Sequence, residues 1–119
     1  PSGPGTVQGQ VADLYVLDRF DEYGYILLDS MLHFAKKDRQ KEIGLVQRIA
    51  DGMPQNGQLI VCMPDTQMKI NFLFNAVYGA LDLLKDTTFP YIYEHPASDK
   101  DARHRTVMDY RMIVFAKAA

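Results

Sequence analysis

A chain of 119 residues that is 47% hydrophobic and 24% charged has the size and composition of one globular domain with a modest core, which excludes collagen-like and wholly disordered chains. Its formal net charge of −2 gives no global attraction to a phosphate backbone, so nucleic acid is not an expected partner. No apolar run reaches the roughly 20 residues of a membrane-crossing helix, and the single cysteine, Cys62, cannot form an internal disulfide, so a soluble protein of the reducing cytoplasm is expected.

Residues 1–20 are expected to be a tail followed by a short helix or loop. Pro1 to Gln10 is rich in proline, glycine and small polar residues, and Val11, Leu14, Tyr15 and Leu17 fit either a helix or a loop folded onto the core. From residue 21 to 119 the pattern is that of an α/β domain. The short apolar run Tyr25-Ile26-Leu27-Leu28 predicts a strand buried on both faces, as in a parallel sheet. After Asp38, a candidate cap, Ile43, Val46, Ile49 and Met53 recur at helical spacing, and Gly52, Pro54, Asn56 and Gly57 predict the stop and a tight turn.

Gln58 to Met63 predicts a second buried strand, in which Cys62 behaves as a small hydrophobe. A long helix is expected from Gln67 to Lys85, with one apolar line through Leu73, Ala76, Ala80 and Leu84 and a second through Ile70, Phe74 and Tyr78. Tyr91 to Tyr93 and Tyr110 to Phe115 are aromatic and β-branched and predict two further strands, their tyrosines packing across the pair. The segment between them, Glu94 to Met108, is polar and predicts an exposed hairpin loop. The order βαβαββ implies a mixed sheet of about four strands with right-handed crossovers and an antiparallel last strand.

The succession from Tyr23 through Leu28-Asp29-Ser30-Met31-Leu32-His33-Phe34, the helix through Gln47 to Met53, and Pro54-Gln55-Asn56-Gly57-Gln58-Leu59-Ile60-Val61 resembles the class I S-adenosylmethionine-dependent methyltransferases. The resemblance covers about residues 21 to 117 and corresponds to the carboxyl-terminal half of that doubly wound, Rossmann-like fold, in which the antiparallel seventh strand inserts between the fifth and sixth. Val7 to Leu14 resembles the turn after the family's third strand, which places Gln10, or Asp13 in another register, where the cofactor's adenine would be held. The glycine-rich turn that precedes it in the family is not found in this sequence, and Gly3-Pro4-Gly5 does not replace it, because no strand leads into it and proline lacks a backbone donor.

The resemblance therefore implies a truncated methyltransferase-like domain that is not catalytic alone and that binds S-adenosylmethionine only if the missing half is supplied. With that half absent, the first strand has an unpaired edge, and a homo-oligomer, a dimer in the first instance, is expected to cover it, either edge to edge or through Ile70, Phe74 and Tyr78. The alternative is part of a complete methyltransferase acting on an unknown acceptor.

Candidate site residues follow from strand ends, where open α/β sheets place small-molecule ligands. His33 and Asp29 form a candidate base and its orienting carboxylate, and Ser30 a candidate cofactor contact; the competing reading makes Asp29 and Ser30 turn caps and His33 a partly buried helix residue. Asp65 and Thr66 could face the same crevice, although helix capping alone explains both. Glu94, His95, Asp99, Asp101 and His104 have no compact metal-site spacing and read as a solvated loop, so no metal is expected. The run Lys36, Lys37, Arg39 and Lys41, interrupted by Asp38, reads as an exposed helix start.

Overall fold

A computed structural model of the chain describes residues 14–17, 19–94 and 105–118. Its elements run β1 (Tyr25–Asp29), α1 (Arg39–Gly52), β2 (Gln58–Pro64), α2 (Gln67–Val77), β3 (Leu81–Glu94) and β4 (Arg105–Lys117). The strands form one sheet in the spatial order β1-β2-β4-β3. β1 and β2 are parallel, with Ile26 opposite Leu59 and Leu28 opposite Val61. β4 is antiparallel to both β2 and β3 and lies between them. The mixed α/β sheet and its inserted antiparallel last strand thus follow the expected order.

α1 ends as its sequence predicts. Met53 N–H bonds the Ile49 carbonyl, Pro54 follows, and a side chain at Gly57 would stand 2.9 Å from the Pro54 carbonyl oxygen. Its buried face is Glu42, Leu45, Val46, Ile49 and Ala50, so Ile43 lies at the margin of the stripe. Asp38 occupies the cap position without a side-chain cap bond.

The strand expected to be buried on both faces is buried on one. Ile26 and Leu28 are covered, whereas Tyr25 and Leu27 are 72% and 57% exposed. The cause is the layer arrangement. α1 packs against α2, and their apolar stripes meet the sheet face built from Ile26, Leu28, Leu59, Val61, Ile113 and Phe115. The register places Tyr25, Leu27, Ile60, Cys62, Met112 and Val114 on the opposite face. Among the described residues β1 is also an edge strand.

α2 is shorter than predicted. It ends at Val77, Gly79 turns the chain at φ 80°, and residues from Leu81 onward enter β3. The apolar residues of 80–84 mimic helical spacing, but a left-handed glycine followed by alternation at Leu81 and Leu83 starts a strand. A register shift between Leu83 and Lys85 leaves Leu84 exposed. The second apolar face of α2 also dissolves: Ile70 is fully buried, Phe74 packs edge-on against Phe115 at 5.6 Å, and Tyr78 caps the helix in solvent. These three residues form no common docking stripe.

The strands of the final pair extend beyond their predicted limits, so Glu94 and residues 105–108 belong to the ladder and not to a loop. Residues 14–16 form a turn, and Leu14, Tyr15 and Leu17 pack on the core, which is the loop alternative of the sequence reading. Phe20 is buried against Gly52.

Candidate functional site at the carboxyl ends of β1 and β2

The parallel pairing of β1 with β2 ends at Asp29 and Cys62. Immediately beyond β1 the Ser30 N–H donates to the Cys62 carbonyl at 2.9 Å, with Ser30 at φ 57°, a left-handed conformation costly for a residue with a side chain. This turn aims the Ser30 hydroxyl back across the sheet. It donates to Asp29 Oδ1 at 3.3 Å and meets the Tyr110 hydroxyl at 3.1 Å. With Ser30 donating to the carboxylate, Tyr110 donates to Ser30.

Tyr110 comes from β4 and is buried. Its ring stacks on Tyr91 of β3 at 4.6 Å and tilts against Phe89 at 5.9 Å. The predicted cross-strand packing of Tyr91 and Tyr110 is therefore present, and it borders the strand-end site. Cys62 completes the group. Burial first, and the Asp29 charge second, push its thiol pKa up. The thiol stays protonated at neutral pH and should alkylate slowly; Asp29→Asn is expected to speed its reaction with iodoacetamide at pH 8, measured by mass spectrometry.

His33 does not join this group through Asp29. Among the described residues no hydrogen bond or ion pair links the two, and His33 is an exposed residue of a non-helical loop. The loop is held from beneath by Glu42. This buried carboxylate accepts the N–H groups of His33 at 2.6 Å and Phe34 at 3.1 Å through a single oxygen. Phe34 is itself left-handed, at φ 47°, with its ring buried against Phe72. Arg39 closes the loop by donating to the Phe34 carbonyl at 3.3 Å while lying 4.4 Å from the Phe72 ring centre. Glu42 was not anticipated: one acidic residue at the start of an amphipathic helix gives no sign that it turns inward.

Asp65 and Thr66 follow β2 as expected, but neither side chain caps α2. Asp65 pairs with Arg111 of β4 at 3.1 Å, and Arg111 also forks onto both oxygens of Asp86 of β3, with Nε at 2.7 Å from Oδ1. The hydrogen-bonded Asp86 carboxylate raises the Arg111 pKa, burial opposes this, and Asp65 adds to it. This bridge was illegible in one dimension, because only the strand register brings the three residues together. Gln10, Asp13, His95, Asp99, Asp101 and His104 lie outside the described residues. Among the described residues no group of three or more His, Cys, Asp or Glu is placed to hold a metal, and no helix is long and apolar enough to cross a membrane.

No protein-family model matches the sequence, and no curated protein matches it. Solved structures do. The N-methyltransferase NodS from Bradyrhizobium japonicum WM9 superposes with a TM-score of 0.58 at 11% identity, over 91% of this chain and 58% of NodS. The fold is that of a class I methyltransferase, in part. NodS in complex with S-adenosyl-L-homocysteine gives a TM-score of 0.60 at 9% identity, over 91% of this chain and 53% of that one. A candidate methyltransferase from Thermoplasma acidophilum gives 0.58 at 14% identity, over 99% and 48%. The chain spans about half the length of these methyltransferase structures.

In doubly wound folds a glycine turn after a parallel strand lets the backbone approach the cofactor. Among the described residues the glycines lie before β1, within α1, between α1 and β2, and after α2, so none follows the carboxyl end of β1 or β2.

Proposed function

We propose that this chain is the acceptor-side half of an S-adenosylmethionine-dependent methyltransferase domain, inactive alone, and that it works when β1 is joined by a cofactor-binding half carried on the same polypeptide or another. The observation behind this reading is the fold match to NodS, with and without S-adenosyl-L-homocysteine, over nearly all of this chain but little more than half of NodS. The edge of β1 and its exposed Tyr25 and Leu27 are where further protein would attach. The contribution of the present half is positional: Asp29, Ser30 and the loop bearing His33 stand at the strand ends, where an acceptor would be oriented.

Calorimetric titration with S-adenosyl-L-homocysteine tests the proposal. The expected result is no binding to the 119-residue chain and binding to the same chain extended by the upstream coding region, or mixed with the cofactor half. Binding by the chain alone would overturn it. Sedimentation of the chain alone identifies what occupies β1. A monomer leaves the edge to the cofactor half; a dimer that Leu27→Lys dissociates assigns the edge to a second copy, with Leu27 opposite its own counterpart, and the chain is then a self-associating module.

A further inference from the structure

We infer that Glu42 is a positioning residue of the acceptor side: it fixes loop 30–34, beyond the carboxyl end of β1, as a rigid ledge that presents Met31 and His33 and does not move as a lid. This rests on the acceptor-side reading and deepens it by naming the residue that sets the ledge.

The loop is built in alternation, with Leu32 and Phe34 buried in the core and Met31 and His33 exposed. Two pegs hold it down. Its ends, Ser30 at φ 57° and Phe34 at φ 47°, both lie in the left-handed region, which a residue with a side chain keeps only where its surroundings over-determine it. Each end has its own fastening. At the first, the Ser30 N–H bonds the Cys62 carbonyl and the Ser30 hydroxyl meets Tyr110. At the second, the Phe34 ring packs on Phe72, Arg39 donates to the Phe34 carbonyl, and Glu42 Oε1 accepts the N–H groups of both Phe34 and His33. Of these fastenings only Glu42 reaches the backbone of His33. Residues 30–38 contain no glycine, so the loop also lacks the permissive backbone that often serves a lid as its hinge.

Glu42 is the one charged residue buried among the described residues, and it shares its face of α1 with Leu45, Val46, Ile49 and Ala50. Burying a carboxyl group there costs solvation that a leucine would not. Both of its hydrogen bonds go to adjacent N–H groups of one loop, so what the carboxyl group secures is the shape of that loop.

Backbone NMR relaxation on the 119-residue chain tests this without a cofactor half. The amides of residues 31–34 are expected to be as ordered as those of β2, with order parameters of about 0.85. Glu42→Leu, which keeps the packing volume and removes the acceptor, should drop Met31 and His33 below about 0.6, whereas Glu42→Gln, which retains an acceptor oxygen, should not. Ile49→Val lowers core stability without touching the loop and should leave its order unchanged. Should the leucine variant fail to fold, Glu42→Asp withdraws the oxygen by one methylene and should loosen the same two residues. A ledge already mobile in the unmodified chain, one that stays ordered without the acceptor, or equal loosening by Ile49→Val would overturn the proposal. In the chain extended upstream, Glu42→Leu should leave the affinity for S-adenosyl-L-homocysteine within about twofold, because the ledge serves the acceptor, and a loss of about tenfold would overturn that assignment. If the extended chain binds no S-adenosyl-L-homocysteine, the acceptor-side reading falls, and relaxation still decides whether Glu42 fixes the ledge.

Discussion

Replacing Glu42 with alanine should destabilise the domain by about 3 kcal/mol, because two backbone N–H groups lose their acceptor and at least one of them remains buried. Both bonds converge on one carboxyl oxygen, so a single truncation removes them together. They also hold Phe34 in a left-handed conformation that its side chain disfavours. Loss of Glu42 therefore removes the restraint and leaves the strain. Chemical denaturation of Glu42→Ala should show a lower midpoint, and hydrogen exchange at His33 and Phe34 should quicken more than exchange across β2. Glu42→Gln keeps one acceptor oxygen at the same reach and should cost about 1 kcal/mol. Equal losses in the two variants would refute this account, because glutamine keeps both the volume and an acceptor oxygen.

Arg111→Met is expected to cost about 2 kcal/mol, less than the loss of a fully buried ion pair because the two acids remain partly exposed. Arg111 is 17% exposed at its side chain and joins the entry of α2, through Asp65, to β3, through Asp86. Methionine retains the apolar stem but leaves two carboxylates facing a site without a cation. Double-mutant cycles should give a larger coupling to Asp86, which receives a two-pronged guanidinium contact, than to Asp65, which receives one bond. A larger coupling to Asp65 would refute this division. Added salt should reduce both couplings, as expected for groups that water still reaches.

Local signals carried the order of elements well. Tyr25 to Leu28 and Gln58 to Met63 are short apolar runs between turn residues, and both are strands; the stop of α1 is written in Gly52, Pro54 and Gly57. The resemblance to methyltransferases placed β4 between β2 and β3, a position that periodicity alone does not specify. What escaped reading depends on contacts between distant segments. Tyr25 and Leu27 look like core residues until it is known that both helices lie on one face. The stretch 78–85 offers apolar residues at both helical and strand spacing, and the φ 80° at Gly79 decides between them. In the site, Asp29 and Ser30 were visible at the end of a strand, but their partner Tyr110 lies 80 residues from Ser30. Asp65 has the residue type of a helix cap and was assigned by that type, yet an arginine 46 residues away takes its carboxylate.

The position of β4 also bears on how the molecule is assembled. β4, the last of the described strands in chain order, is an interior one: until residues 105–117 have emerged, β2 lacks one of its described neighbours and β3 lacks its described partner. The sheet therefore cannot be completed in the order of synthesis, and nascent chains expose bare strand edges late, when intermolecular pairing is a hazard. The β3 and β4 hairpin is the most local pairing available and should form early, with closure onto β2 as the slower, longer-range step. Among the described strands, removing β4 takes away the centre of the sheet, whereas removing β1 takes only its margin.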